Sequence, residues 1–367
     1  MNSRCYVIAE AGVNHNGSLE RAFKLIDAAA QAGVDAVKFQ TFRSELVISV
    51  RAEKAEYQKA ATGATESQLD MVRKLELGED AHFQLMAYAQ SKGLTFLSTP
   101  FDIPSVDFLI DRMKLARIKI PSGEITNGPL ILRIAQKKVL VILSTGMATL
   151  GEVEAALGVL AFGYLAPPSE RPSPAAFADA YRSDVGQVVL RERVTLLHCT
   201  TEYPAPPIDC NLRAIDSMRG AFGLPVGYSD HTDGIAISLA AAARGAVMIE
   251  KHFTLDRGLP GPDHLASLEP DQLAQMVREI RLIESALGDG VKWPRESERK
   301  NLPIARKSLV AATVIRQGEE FTADNIIPKR PDIGISPMQF WALIGQRAMH
   351  DYAPDEPIDQ ANRDGRA

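Results

Sequence analysis

Cysteine is scarce in this chain of 367 residues: Cys5, Cys199 and Cys210 are the whole set. The number is odd, the three are far apart, and none makes a C-x-x-C pair. A disulfide framework is therefore not expected, and a reducing cytoplasm is the expected setting. Cys5 and Cys199 lie in apolar runs and read as buried, inert thiols. Excess positive charge is also missing. Lys and Arg number 41 against 46 Asp and Glu, for a net charge of −5. No overall basic field invites nucleic acid or an anionic membrane, although a local basic pocket for a small anion stays open. No apolar run approaches the roughly 20 residues of a membrane span, and the N-terminus lacks the charged-then-apolar order of a signal peptide. No internal repeat is evident, and no G-x-G-x-x-G follows the first apolar run, which removes the commonest dinucleotide signature.

What is present is an ordinary globular composition, 46% hydrophobic and 24% charged, on a chain long enough for one large and one small domain. Short β-type apolar runs alternate with helical patterns. The runs fall at 5–11, 35–40, 94–102, 116–124, 139–147, 193–204, 224–232 and 246–253, and a helix signal follows each. The first helix pattern, 18–33, has Ser18 as N-cap, Gly33 as C-cap and an apolar face through Leu19, Ala22, Phe23 and Ile26. Eight such units in about 285 residues predict an α/β fold, a (β/α)8 TIM barrel over 1–287, with an open doubly wound sheet as the alternative. Two stretches break the series. Residues 165–192, rich in Pro, Ser and Ala, read as an inserted mobile surface loop. Residues 288–304 read as a linker. Beyond them, 305–367 has short β-type runs and reads as a small, mostly β domain.

In such a barrel the chemistry sits at the C-terminal ends of the strands. Every predicted strand here ends in polar groups. The first, in VIAEAGVNHNG, reaches Glu10 straight from an apolar run, either as a structural ion pair or as a catalytic group; Asn14, His15 and Asn16 then belong to the first loop and are expected to hold Glu10 in place. The others end in Lys38 and Gln40; Ser98 and Thr99; Lys119, Ser122 and Glu124; Ser144 and Thr145; His198, Thr200, Thr201 and Tyr203; Ser229, Asp230 and His231; and Glu250, Lys251 and His252. Two ammonium groups, several hydroxyls and the amides near Gly123 and Gly146 suit a compact dianion such as phosphate. His231 and His252, on adjacent strands, can hold one divalent ion, or can be plain structural histidines. Asp263, in GPDH, is either held over the barrel mouth or a turn residue. His198 reads as a core residue, His82 and His350 as surface residues.

The ordered set VIAEAGVNHNG, AVKFQTF, FLSTPFD, KIPSGEITN, ILSTGM, LHCTTEYPAP, GYSDHT, EKHFTLD and GPDHLASLEP resembles the sialic acid synthases, which make N-acetylneuraminate, legionaminate and pseudaminate. ARKSLVA, QGEE and KRP in the tail resemble that family's antifreeze-like (SAF) domain. The resemblance implies a homodimer in which the SAF domain of one subunit covers the partner's active site. It implies condensation of phosphoenolpyruvate with an N-acetylated mannosamine-type sugar. The first expectation is N-acetylmannosamine giving N-acetylneuraminate and phosphate; the alternative is N,N'-diacetyllegionaminate synthesis from 2,4-diacetamido-2,4,6-trideoxymannose. Another metal-dependent barrel aldolase, or a sugar-binding protein without turnover, is less favoured. Carried over motif by motif, Lys38, Thr99, Lys119, Ser122, Ser144 and Ser229 would hold phosphoenolpyruvate. His231 and His252 would bind a divalent metal, Mn²⁺ first, with Mg²⁺ or Co²⁺ as alternatives. Glu10 would act at the reacting carbons, and Gln40, Glu124, Thr201, Tyr203 and Asp263 would contact the sugar. Arg330 would grip the N-acetyl carbonyl from the neighbouring subunit. Two departures from the family pattern stand out: Thr200 and Thr201 where Asn is frequent, and DIGI (332–335) after KRP in place of GNGI.

Overall fold

The computed structural model describes residues 4–54, 65–167 and 169–359. They fall into two units, Met1–Asp289 and Gly290–Ala367. The first is built on eight strands: β1 Tyr6–Gly12, β2 Ala36–Thr41, β3 Thr95–Pro100, β4 Arg117–Ile120, β5 Leu140–Ser144, β6 Val194–Cys199, β7 Val226–Asp230 and β8 Met248–His252. Their order is β3-β2-β1-β8-β7-β6-β5-β4, with every pairing parallel. β3 and β4 run side by side and close the ring, making a (β/α)8 barrel.

Period-two alternation explains where the polar groups go. Outward residues such as Val7, Val37, Ile118, Val141, Leu196 and Tyr228 join one large core beneath the helices. Inward residues Ile8, Ala36, Leu97, Ile142, Leu197 and Met248 form a separate small cluster inside the barrel. Two residues further along five of those strands, on the same inward face, stand Glu10, Lys38, Thr99, Ser144 and Glu250. An apolar plug thus fills the barrel's lower half and a polar layer lies directly above it.

The helix Leu19–Ala32 starts where Ser18 accepts from the amide of Arg21 and stops at Gly33, whose φ is +77°. Helix Leu150–Leu165 opens with a capping box, Thr149 and Glu152 bonding each other's backbone amides. The stretch expected as a surface loop, 165–192, instead contains two helices, Pro174–Arg182 and Asp184–Arg193. Ser173 caps the first, with Pro174 at its first position, and Ser183 caps the second; a Ser-Pro step is a helix start as well as a loop signal. Phe177 and Tyr181 pack these helices onto the barrel's outer core. His82 also departs from expectation. It is buried, with its ring between Thr41 Oγ1 at 2.8 Å and the Gly78 carbonyl at 3.0 Å. All three cysteines are free and buried, and burial pushes the Cys5 thiol up to about 12.

The second unit pairs β9 Ser308–Ala311 antiparallel with β10 Ile326–Lys329. Leu309, Ile315, Phe321, Ile326, Tyr352 and Ile358 give it a core of its own. Residues 288–304, expected as a linker, carry two short helical turns, Glu296–Arg299 and Leu302–Ala305. Among the described residues no helix is long and apolar enough to cross a membrane.

Candidate active site

The polar layer is a network of buried charges. Lys38 Nζ lies 2.7 Å from Glu10 Oε2 and 3.6 Å from Glu250 Oε2, and donates to Thr99 Oγ1 at 2.9 Å. Lys119 Nζ reaches Glu250 Oε1 at 3.0 Å, and Ser229 Oγ donates to the same oxygen at 2.9 Å. Two ammonium groups face two carboxylates, the balance that makes burial of four ionisable groups tolerable. The carboxylates are not equivalent. Burial pushes Glu10 up to about 7, against the pull of Lys38 and with the help of Glu250. Burial acts on Glu250 too, but Lys119 and Lys38 outweigh it and hold that carboxyl well below the usual range. Near neutrality the labile proton of the network belongs to Glu10.

The network opens into a cavity of about 290 Å³. Among the described residues several buried polar atoms at its wall have no hydrogen-bond partner: Glu250 Oε2, Ser144 Oγ, Thr201 Oγ1 and His252 Nδ1. Each unmet group costs roughly 1–3 kcal/mol, so several at one rim mark a place shaped for something else to bind. Gly146 belongs to this cradle. Its amide donates to Ser122 Oγ at 3.0 Å, and a Cβ there would stand 2.3 Å from Thr201 Oγ1.

His231 and His252 stand with ring centroids 5.8 Å apart, and the Tyr203 ring is 4.3 Å from the first and 5.6 Å from the second. His231 Nδ1 donates to the Thr200 carbonyl at 2.6 Å, which leaves the lone pair on Nε2. Burial lowers His231 to about 4, and burial, His231 and Lys38 together take His252 well below the ordinary histidine value. Both rings are neutral at physiological pH, as metal ligation requires. His252 Nδ1 has no hydrogen-bond partner among the described residues, and His231 Nε2 meets the Tyr203 and Ser229 hydroxyls at 3.3 Å each; two neutral imidazoles so placed fit a divalent ion. No group of three His, Cys, Asp or Glu donors exists among the described residues, so further ligands would come from substrate or water. Asp263 Oδ2 lies 3.9 Å from His252 Nδ1, and burial pushes its carboxyl up to about 6.

The cavity brings together every expected site residue except two. Glu124 is turned aside, accepting from Asn127 Nδ2 at 2.6 Å. Arg330 belongs to the second unit, is exposed, and donates from Nε to the Ala305 carbonyl at 2.9 Å. Asn14 and Asn16 tie the first loop to the one after β8, through Phe253, Ser267 and Pro260; among the described residues the side chain bonded to Glu10 beside Lys38 is Gln40, at 3.4 Å. The residue that sequence reading left out of the site is Glu250, which bridges both lysines. Its signal was there: it stands two before His252 and so shares its inward face.

Known proteins can now be set beside this geometry. The NeuB family model matches residues 25–292, and the SAF domain model matches 306–362. The chain belongs to the NeuB family. It is 50% identical over 352 residues to the N,N'-diacetyllegionaminic acid synthase of Campylobacter jejuni, covering 96% of this chain and 98% of that one. It is 42% identical to the synthase of the same name from Legionella pneumophila, covering 94% and 90%. Among solved structures, the N-acetylneuraminic acid synthetase of Leptospira borgpetersenii in complex with citrate superposes with a TM-score of 0.66 at 34% identity, covering 82% of this chain and 90% of that one. This NeuB chain is therefore an enzyme, a synthase that forms a carbon–carbon bond.

Proposed function

We propose that the enzyme condenses phosphoenolpyruvate with 2,4-diacetamido-2,4,6-trideoxymannose, giving N,N'-diacetyllegionaminate and phosphate. The observation that carries this reading is the pairing of Lys38 and Lys119 around Glu250 beside two neutral imidazoles, on a chain half identical to a synthase of that name. N-acetylmannosamine, expected first from the sequence motifs, becomes the competing substrate, since the N-acetylneuraminic acid synthetase structure is the more distant relative at 34%.

Lys38 and Lys119 neutralise the phosphate and carboxylate of phosphoenolpyruvate, and the hydroxyls of Thr99, Ser122, Ser144 and Ser229 complete the cradle. The unpartnered Ser144 Oγ gains its first hydrogen bond in the process. His231 and His252 would hold a divalent ion, Mn²⁺ or else Mg²⁺ or Co²⁺, which when bound would polarise the sugar aldehyde. The C3 carbon of phosphoenolpyruvate bonds to that aldehyde carbon, and the aldehyde oxygen takes a proton. Water then adds to C2 and loses a proton; the new hydroxyl collapses to the C2 carbonyl as the bond from C2 to the phosphate oxygen breaks, and its proton leaves with the phosphate. Glu10, whose carboxyl burial raises to about 7 beside Lys38 and Gln40, supplies the first proton from its protonated form, and its conjugate base accepts the second. Tyr203, Thr201, Gln40 and Asp263 contact the sugar. Arg330 reaches the N-acetyl carbonyl from a partner copy.

Purified protein with Mn²⁺, phosphoenolpyruvate and each sugar in turn tests the reading. Phosphate release and a product of the diacetylated mass are expected, faster than with N-acetylmannosamine. His231→Ala should lose Mn²⁺ binding by calorimetry. Absence of phosphate release with every such sugar would remove the proposal.

A further inference from the structure

The cavity has two unlike linings. One is the charged network. The other is a wall from the segments between β2 and the helix Glu79–Ser91, where Val47, Ile48, Gln68, Met71, Val72 and Leu75 line the space. Met71 and Leu75 are buried, yet among the described residues none of these six belongs to the hydrophobic clusters that make up the barrel core. The five apolar side chains among them line the same cavity as the charged network. The wall is also firmly held. The amide of Ser44 donates to Glu76 Oε1 at 2.6 Å, and Arg73 pairs with Glu45 at 3.3 Å. Lys74 seats its carbonyl against Gly17, where a Cβ would come within 2.5 Å of that oxygen and φ is +73°.

We infer that this wall is the sugar-selecting subsite, taking the C6 methyl and the acetamido methyl of a 6-deoxy, diacetamido sugar, with Gln68 bonding the C4 amide. The inference rests on the proposed reaction. The aldehyde must sit against the charged lining, which leaves the apolar wall for the far end of the open-chain sugar. Apolar side chains there favour methyl groups and leave the C6 hydroxyl of N-acetylmannosamine without a partner. Differences of this size in an apolar pocket are worth about 10–200-fold in kcat/KM.

The test measures kcat/KM for 2,4-diacetamido-2,4,6-trideoxymannose and for N-acetylmannosamine at saturating phosphoenolpyruvate, in wild type, Val72→Thr and Val47→Thr. Both changes conserve shape and add a hydroxyl, and both valines are half buried on different segments, so each variant covers a folding failure of the other. Wild type should prefer the diacetamido sugar, and the preference should fall about tenfold in each variant. The loss should appear in the KM for sugar, with the KM for phosphoenolpyruvate within about threefold of wild type. A ratio unchanged in both variants, or a wild type that prefers N-acetylmannosamine, overturns the inference while leaving the condensation standing. No turnover of either sugar by wild type removes the reaction and the inference together.

Discussion

Strands β7 and β8 carry buried charge on both of their faces, and the two faces differ. Outward, Lys251 and Asp230 pair at 3.1 Å with both side chains fully buried. Asp230 Oδ1 accepts from the amide and hydroxyl of Thr232, Oδ2 accepts from Ser238, and Lys251 also donates to the Thr232 carbonyl. Each carboxylate oxygen has two partners. Inward, one residue away in sequence, Glu250 Oε2 and His252 Nδ1 have no hydrogen-bond partner among the described residues. The same two strands thus build a finished network and an unfinished one about a single sheet thickness apart. A finished buried network holds structure together; an unfinished one at a cavity marks where a ligand completes it.

The sharpest way to break this comparison is Glu10→Gln. The amide keeps the shape and loses the proton transfer, so turnover should drop by about 10³-fold, within the usual range for a general acid–base group. Calorimetric affinity for phosphoenolpyruvate should stay within a few-fold. Retained turnover would move Glu10 to the structural side. On the outer face the opposite pattern is expected. Lys251→Met leaves Asp230 buried and uncompensated, which costs about 3–5 kcal/mol of unfolding free energy, read from denaturant titration. The folded fraction should keep its KM for phosphoenolpyruvate within a few-fold.

The inner network also carries a pH signature. Glu10 is raised in the folded state, to about 7 from 4.5. The folded protein then binds the extra proton between those values, so Glu10's share of stability is present below about 4.5 and is lost as pH rises to about 7. The loss is at most ~3 kcal/mol. Glu250 is depressed and acts in the opposite sense, its contribution lost only as pH falls below the usual carboxylate range. Glu10→Gln should flatten the upper slope, measured as unfolding free energy against pH relative to wild type. An unchanged slope would show that Glu10 is ionised throughout.

Much of this was legible in the sequence. Eight apolar runs separated by amphipathic segments place the barrel, and the polar residue ending each run places the rim. The rule that active groups gather at strand ends placed Lys38, Lys119, His231 and His252 on the rim, while their roles came from the family resemblance. Glu250 was overlooked because it stands inside a run of three polar residues, and only the alternation of faces separates it and His252 from Lys251. The Pro-rich 165–192 stretch misled because Ser173-Pro174 serves equally as a loop and as a helix start. Glu124 carries the polarity of its neighbours, but a tight turn over Ser122–Glu124 aims it at Asn127 instead of the cavity. Periodicity says which face a strand residue takes, and it says nothing once the chain has left the strand.

The smallest expected effects separate the two faces most cleanly, because they use the same substitution. Ser144 Oγ, on the inner side, has no partner among the described residues. Ser238 Oγ, on the outer side, donates to Asp230 at 2.6 Å. Ser144→Ala therefore removes a group that stabilises nothing in the free enzyme. Its unfolding free energy should match wild type or rise slightly, while KM for phosphoenolpyruvate increases about tenfold, the loss of one hydrogen bond to a charged ligand. Ser238→Ala should do the reverse, losing about 1–3 kcal/mol of stability with KM unchanged, because it strips a partner from a buried carboxylate. Thermal unfolding with and without phosphoenolpyruvate reads both quantities in one experiment. Ligand should add less protection to Ser144→Ala than to wild type, and equal protection to Ser238→Ala. If the two alanine variants moved stability and affinity together, the unpartnered hydroxyl would be a packing detail, and the inner face would lose its claim to be shaped for an anion.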